Sequence, residues 1–226
     1  MRRIGLFLIF SLLVGISFGQ IDVTNDLTIE EYVTDILLGS GVQASNITFT
    51  GWENQIGLLN GGDGTIFPMD AGLVLSSANA QNLDGSIDEN VPFGEGTTGD
   101  PDLLDIANSV PPLIGQNFVV GSVNDVCILE FDFIATGDTV KFNYSFGSDE
   151  YLGWVNSQYN DIFAFLLSGD GIVGPYDSPA AFPNGAVNIA QVPDTDPPLP
   201  ITISSVNDVT NSEYYINNPN NTDIMI

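Results

Sequence analysis

Oxygen-bearing side chains gather in one short stretch of the sequence, residues 146–169, which reads FGSDEYLGWVNSQYNDIFAFLLSG. Asp149 and Glu150 directly follow a strand-like run, and Asn160 and Asp161 directly precede the next one. Neighbouring residues on an extended chain point to opposite faces, so Asp149 and Glu150 cannot both address one substrate bond if the strand continues through them. Either acid could converge with Asp161, as a glycosidase pair requires, if the intervening loop folds back.

The intervening loop, YLGWVNSQYN, adds three aromatic side chains to these oxygens. Rings beside carboxylates and amides are typical of sugar-binding surfaces, because rings stack on C–H faces and oxygens bond to hydroxyls. The alternative is structural: the rings pack against a sheet edge and the acids cap a turn. The predicted ligand-binding residues are Asp149, Glu150, Tyr151, Trp154, Tyr159, Asn160 and Asp161.

Loops rich in Asp, Asn and Gly predict a second kind of site, for calcium. The chain holds 21 Asp, 21 Asn and 8 Glu, and calcium takes about six to eight oxygen ligands from flexible loops. None of the loops matches the EF-hand loop or the glycine-rich nonapeptide repeat, so an acidic surface with Asx turns is the alternative. The candidate calcium ligands are Asp63, Asp84, Asp88, Glu89, Asp100 and Asp102.

Charge and missing residue types exclude several function classes. The net charge is −26, with Arg2, Arg3 and Lys141 as the basic residues. Binding to nucleic acid or to an anionic membrane is therefore not expected, because phosphates need Lys and Arg partners. The sequence has no His, which removes Ser-His and Cys-His hydrolases and His-ligated zinc or copper sites. Cys127 lies in an apolar run, which favours a packed core thiol over a nucleophile.

The first 19 residues have the features of a secretory signal peptide: a basic start, an apolar run and small residues before Gln20. The apolar run, residues 4–18, is short for a membrane span. We therefore predict cleavage between Gly19 and Gln20, an extracellular or cell-surface location, and no membrane insertion of the mature chain. Residues 20–226 read as a single domain. Its last residues resemble the opening of a strand, so we expect a truncated C-terminal end and an anchoring module beyond residue 226.

One short N-terminal helix is predicted, with Thr28 as N-cap, Glu31 three residues later, and Gly39 or Gly41 at its end. Residues 79–125 are predicted to form long polar loops with a single helical turn at PDLLDIA. The remaining chain reads as strands, namely SNITFTG, AGLVLSS, DIFAFLLSG, AVNIAQV and ITISSVN. DIFAFLLSG is apolar on both faces, which predicts a central strand covered from both sides.

Period-two alternation on both sides of the tetrapeptide ATGD predicts a β-hairpin. Its register would place Phe131 opposite Phe142 on the core face and Asp132 opposite Lys141 on the outer face. Many short strands and long loops then predict a mostly all-β fold: an antiparallel β-sandwich with long polar loops and one short helix.

Several segments, taken together, resemble the choice-of-anchor L domain family. They are YVTDILLGSGVQASNITFTG, AGLVLSS, GDPDLLDIA, CILEFDFIATGDTVKFNYSFGSDEY, NDIFAFLLSGDGI and NIAQVP. The resemblance runs from Leu27 to Asn218, and its most specific part is FGSDEY followed by NDIFAFLLSG. It implies a secreted bacterial surface domain that a separate C-terminal signal attaches. It brings no catalytic or binding residues that could be transferred to this chain.

Three functional hypotheses follow from these patterns. The first is a non-enzymatic extracellular module for adhesion or glycan binding, stabilised by calcium, whose partner is an extracellular glycan or protein surface. The second is a structural spacer within a larger surface protein. The third is a carboxylate-based glycoside hydrolase that uses Asp149 or Glu150 with Asp161. A site that unites Glu150, Asp161 and a ring of the loop would favour the first or the third over the second.

Overall fold

The computed structural model describes residues 21–62, 68–83, 99–148 and 150–217. Strands exceed helices there and pair in antiparallel sheets, which confirms the predicted mainly β fold. In chain order the elements are β1 Asp22–Thr24, α1 Ile29–Glu31, β2 Val42–Thr50, β3 Ile56–Asn60, β4 Ala71–Leu75, α2 Pro101–Leu113, β5 Ile128–Ala135, β6 Leu166–Leu167 and β7 Val187–Asn188. Short 3-10 or π-helical segments lie at Tyr32–Leu37, Glu53–Gln55, Ala80–Leu83 and Ser212–Tyr214.

The predicted N-terminal helix forms at its capping residues. The hydroxyl of Thr28 accepts the N–H of Glu31 at 3.2 Å, and the Glu31 carboxylate accepts the N–H of Thr28 at 2.8 Å. This reciprocal pair is a capping box, and its hydrogen bonds, first from the backbone of Thr28 and then from its hydroxyl, lower the pKa of Glu31. The capping box confirms the predicted N-cap. The π-helical segment that follows buries Tyr32 and Val33.

A three-stranded sheet in the order β1–β3–β4 forms the N-terminal part of the fold. β3 pairs along both edges, with Leu59 opposite Val23 on one side and Gly72 on the other. Ile21, Val23, Leu59 and Ala80 form the buried cluster of this region. Sequence analysis predicts β4 but neither β1 nor β3. β3 is covered on both faces, so it lacks the apolar–polar alternation that marks a half-buried strand.

The prediction of a β-hairpin is wrong in the strands that it pairs, but the first strand has the predicted orientation. β5 pairs antiparallel with β2, which places Asp132 opposite Ser45, whereas residues 140–146 belong to no strand. Along β5 the acids are exposed and Phe131 and Phe133 are half-buried, as the alternation predicts. Asp132 accepts a hydrogen bond from the Asn46 amide at 2.6 Å. Among the described residues no ion pair joins Asp132 to Lys141.

Aromatic packing explains why residues 140–146 leave the predicted ladder. The ring of Phe142 lies 5.3 Å from that of Phe165, and the ring of Tyr144 lies 5.3 Å from that of Phe163, measured between centroids. These rings thus pack sideways onto the later segment instead of across a hairpin from β5. Such aromatic pairs add to the free energy of burial, and they compete with the backbone pairing that alternation alone predicts.

The helix α2 corrects the prediction of one short helix and a loop-rich segment at residues 79–125. It spans thirteen residues, starts with Asp100 as N-cap, and buries Ile106, Ala107 and Val110. The two prolines near its end lack N–H groups and normally break helices, so the sequence predicts only the first turn. The free energy gained by burying Ile106, Ala107 and Val110 outweighs the free energy that the two prolines cost the helix. Asn108 then holds the chain that follows the helix. Its side chain accepts the N–H of Val120 at 2.9 Å and donates to the carbonyl of Val120 at 3.0 Å.

The segment DIFAFLLSG forms less strand than its apolar pattern predicts. Only β6 pairs regularly, with β7, while Ile162 makes an isolated bridge to Thr202. Between them the N–H of Phe165 donates to the side-chain oxygen of Asn188 at 3.1 Å, which interrupts the ladder. Leu166 is exposed, so the prediction of a strand covered on both sides is wrong at this position.

The larger buried cluster joins α2 to the C-terminal chain. Its members are Val110, Ala190, Val192, Leu199, Ile201 and Val206, with Phe146, Phe163, Phe165, Ile114 and Tyr215 packed against them. The described strands form three separate small sheets, β1–β3–β4, β2–β5 and β6–β7. Their arrangement as a sandwich stays a prediction.

Removing the cap of α2 gives a first test of this fold. The Asp100 carboxylate accepts the N–H of Leu103 at 2.8 Å, so Asp100→Ala should lower the free energy of unfolding by about 1 kcal/mol. Asp100→Asn keeps a capping oxygen and should retain most of the stability. Urea denaturation of both variants measures the effect. An equal loss in both would mean that the negative charge of Asp100, rather than its capping bond, stabilises this region.

Candidate functional site

The candidate site rests on a buried polar turn, residues 200–207, which we call the anchor segment. Thr202, Ser204, Ser205 and Asn207 are each at most 1% exposed. Their polar groups bond within the turn: Ser205 donates to the carbonyl of Pro200 at 2.6 Å and accepts the N–H of Thr202 at 2.8 Å. Buried polar groups are costly unless they are hydrogen-bonded, so this internal network fixes the conformation of the turn.

Ser204 ties the anchor segment to a second segment, residues 150–159, which we call the aromatic loop. Its hydroxyl accepts the N–H of Asn156 at 2.9 Å, and its own N–H donates to the side-chain oxygen of Asn160 at 3.3 Å. The neighbouring Ile203 donates its N–H to the carbonyl of Asp161 at 3.3 Å. The tip of the aromatic loop and its C-terminal end are therefore held by adjacent residues of one rigid turn.

Tyr151 fixes the N-terminal end of the aromatic loop. Its hydroxyl donates to the carbonyl of Val206 at 2.7 Å, and its ring packs against Tyr215 with centroids 5.1 Å apart. Burial, and then the nearby Tyr215 and Asp161, raise the pKa of Tyr151 well above its ordinary value. The phenol is thus neutral at physiological pH. Among the predicted binding residues, Tyr151 supports the loop from inside.

Trp154 and Tyr159 form an exposed aromatic corner on the same loop. Their ring centroids are 4.7 Å apart, the ring planes meet at 72°, and the residues are 49% and 50% exposed. A turn bond from the N–H of Trp154 to the carbonyl of Glu150, at 3.0 Å, positions the first ring. The hydroxyl of Ser157 accepts the N–H of Tyr159 at 3.1 Å and positions the second. The corner therefore presents aromatic surface to solvent from a hydrogen-bonded scaffold.

Ser148 connects the acids of the site. Its hydroxyl donates to the Asp161 carboxylate at 2.7 Å and accepts the N–H of Glu150 at 2.9 Å. Asp149 lies outside the described residues, so the predicted pairing of Asp149 with Asp161 stays a prediction. Neither Ser148 nor Ser204 is among the site residues predicted from the sequence. A serine hydroxyl that bonds the N–H two residues later is an ST turn, so the spacing of Ser148 and Glu150 is the signal that could have identified Ser148.

Asp161 sits where protein atoms crowd its carboxyl group, although the residue keeps exposed surface. The crowding removes water and raises the pKa of Asp161, and the hydrogen bond from Ser148 partly lowers it. The adjacent Asn160 is only 5% exposed, and within the described structure its amide nitrogen has no hydrogen-bond partner. The Asp161 carboxylate thus contacts Ser148, and the side-chain oxygen of Asn160 accepts the N–H of Ser204.

The candidate calcium ligands are only partly described. Asp63, Asp84, Asp88 and Glu89 lie outside the described residues. Asp100 caps α2, and Asp102 accepts the N–H of Asp177 at 2.8 Å. Burial, and then nearby acids, raise the pKa of Asp102. In the described ranges no three Asp, Glu, Cys or His residues gather as metal ligands would.

Two further features lie outside the predicted site. Burial raises the pKa of the Cys127 thiol to about 11, which agrees with a packed thiol and not with a nucleophile. An open hollow lies on the loop before β7 and is lined by Val173, Gly174, Tyr176, Asp177, Ser178, Ala180, Pro183, Asn184 and Gly185. Sequence analysis named none of these residues as a site.

The raised pKa of Asp161 predicts a pH dependence of stability. The folded state holds the proton more tightly than the unfolded state, so this contribution is full below the ordinary value of 3.8 and is lost as pH rises through the raised value. Asp161→Asn removes the titrating group, so the free energy of unfolding should fall less steeply as pH rises through this window. Urea unfolding across this pH window measures it, with Asp170→Asn, at an exposed loop acid, as control. A decline unchanged in Asp161→Asn would contradict the assignment.

Comparison with known proteins places the chain in a family. No curated protein and no solved structure matches it significantly. In the described part of the chain, no helix has the length and apolar character that a membrane crossing demands. The family model of the Choice-of-anchor L domain matches residues 20–225, nearly the whole chain, and this is a type of surface-associated module. The chain belongs to the Choice-of-anchor L domain family.

Proposed function

We propose that this domain is a non-catalytic extracellular module that binds glycans in adhesion, with the aromatic corner of Trp154 and Tyr159 as its contact surface. Family membership supports a surface location. The predicted signal peptide, which lies outside the described residues, is the proposed route of secretion. A β-sandwich, as yet only predicted, is the proposed scaffold.

One observation carries the proposal: two aromatic side chains are half-exposed although their backbone is firmly held. Single exposed apolar residues are common, but two exposed rings in contact on a hydrogen-bonded loop form a contiguous patch, which supports a contact surface. Sugar rings offer apolar C–H faces that stack on such rings, and the oxygens of Glu150 and Asp161 can accept sugar hydroxyls. Because the loop is ordered before binding, little conformational entropy is lost when a ligand docks.

The two alternatives predict different results. A structural spacer would bind no glycan, and its aromatic corner would affect nothing but stability. A glycoside hydrolase would need two carboxyl groups about 5–9.5 Å apart. The raised pKa of Asp161 would suit a general acid, but the contact described between Asp161 and Glu150 runs through Ser148 and the backbone of Glu150. Binding without turnover is the function we propose, and the exposed ring pair is the observation that supports it.

Substitution of Trp154 tests the proposal against a matched control. Trp154→Ala should weaken glycan binding by about tenfold, because one stacked ring contributes on the order of 1–2 kcal/mol. Trp52→Ala removes a tryptophan of nearly equal exposure, 47%, from a different segment and should bind normally. Glycan-array binding of the three proteins measures the effect. A blank array for the unmodified domain would contradict the proposal, and so would equal binding by Trp154→Ala.

Calcium is a second part of the proposal. The chain carries 29 acidic residues and 3 basic ones, so its surface repels itself unless cations offset the charge. After chelation, adding about millimolar calcium should raise the thermal midpoint, because an ion that binds only the folded state stabilises it by mass action. Magnesium at equal ionic strength controls for general screening. Equal midpoints with both ions would remove calcium from the proposal.

A further inference from the structure

The geometry of the aromatic corner points to the class of glycan that it binds, an inference that rests on the function proposed above. Trp154 and Tyr159 meet at 72° with centroids 4.7 Å apart. A flat crystalline polysaccharide presents sugar faces in one plane, so a protein surface that binds it needs rings that lie nearly coplanar. Two perpendicular rings cannot both stack on such a plane. Because the two rings contact each other edge to face, one of them can stack under the C–H face of a single sugar unit.

The charge around the corner restricts the ligand further. Glu150 begins the aromatic loop and Asp161 follows it in sequence, and the Ser148 hydroxyl accepts the N–H of Glu150 and donates to the Asp161 carboxylate. The basic residues of the whole sequence are Arg2, Arg3 and Lys141, and Lys141 sits on another segment. Uronic acids, sialic acids and sulfated sugars need Arg or Lys partners, and an acidic surface repels them. Carboxylates accept hydrogen bonds from sugar hydroxyls, which neutral sugars supply in number.

We infer that the site takes a single, uncharged glycan chain in solution, and neither a crystalline polysaccharide surface nor an anionic glycan. Its recognition rests on stacking of one sugar unit against the Trp154–Tyr159 pair. Stacking on neutral sugars involves no ion pairs, so binding should change little with salt.

The experiment uses Trp52→Phe, which leaves Trp154 as the one tryptophan and thus as a fluorescent reporter. Neutral hexasaccharides of glucose, mannose and galactose are titrated alongside oligogalacturonate of equal length, at low and high salt. Retention on microcrystalline cellulose is measured in parallel. We expect Trp154 emission to respond to at least one neutral hexasaccharide with an affinity at least about tenfold above that for oligogalacturonate. We also expect no salt dependence and no retention on cellulose.

Tyr159→Ala opens the corner and should weaken the neutral ligand by about tenfold, whereas Tyr159→Phe keeps the ring and should bind nearly as well. Circular dichroism of each variant checks its fold. Preferred binding of oligogalacturonate, or retention on cellulose that Trp154→Ala abolishes, would overturn the inference and leave the proposed glycan function standing. No binding to any of these ligands, together with a blank glycan array, would overturn both this inference and the proposed glycan function.

Discussion

The burial of one polar turn is the constraint on which the candidate site depends. Residues 202–207 lie in the protein interior although three side chains carry hydroxyl groups and one an amide. A buried polar group without a partner destabilises the fold by roughly 1–3 kcal/mol, so the polar side chains of the turn need partners within it or in adjacent segments. Ser204 bonds to Asn156 and Asn160. The hydrogen bonds of Ser204 thus position the aromatic loop, although the Asn160 amide nitrogen has no partner within the described structure.

Aromatic packing is the second organising force, and it displaces regular pairing in this part of the chain. Phe163 and Phe165 are in ring contact with each other and with Tyr144, while Phe142 packs on Phe165. Regular strand pairing is interrupted where these rings pack. There the N–H of Phe165 donates to the side chain of Asn188 and not to a backbone carbonyl. The outcome is a core in which Val110 of α2 packs with mostly irregular chain between residues 190 and 206.

Local signals allowed correct prediction where one interaction decides the outcome. Thr28 and Glu31 sit at capping-box spacing, and the helix starts there; Phe131 and Asp132 alternate, and they face opposite sides. Partners distant in sequence were not predictable in the same way. Nothing in the alternation of β5 says that β2 rather than residues 140–146 will lie beside it, because both offer apolar positions at period two. Likewise the length of α2 depends on burial against residues far along the chain, which overrides the prolines.

In the candidate site too, local features were predictable from the sequence and contacts between distant residues were not. The residue types and order of the aromatic loop predict a carbohydrate-like surface, and the structure leaves Trp154 and Tyr159 exposed there. Which ring faces outward depends on Val206 and Tyr215, contacts some 55 to 64 positions away in sequence that no spacing rule reveals. Tyr151 looks equivalent to Tyr159 in the sequence, yet its hydroxyl is committed to the backbone of Val206.

The ribbon of β2 and β5 has a consequence for behaviour in solution. Within the described chain β5 has one paired edge, and Ile134, at 71% exposure, lies on this strand. A strand edge with exposed apolar groups invites another copy to extend the sheet. Glu130 and Asp132 project from the same strand into solvent, so two copies that approached in register would bring rows of like charge together. Repulsion between these rows of acids would therefore oppose edge-to-edge pairing of two copies.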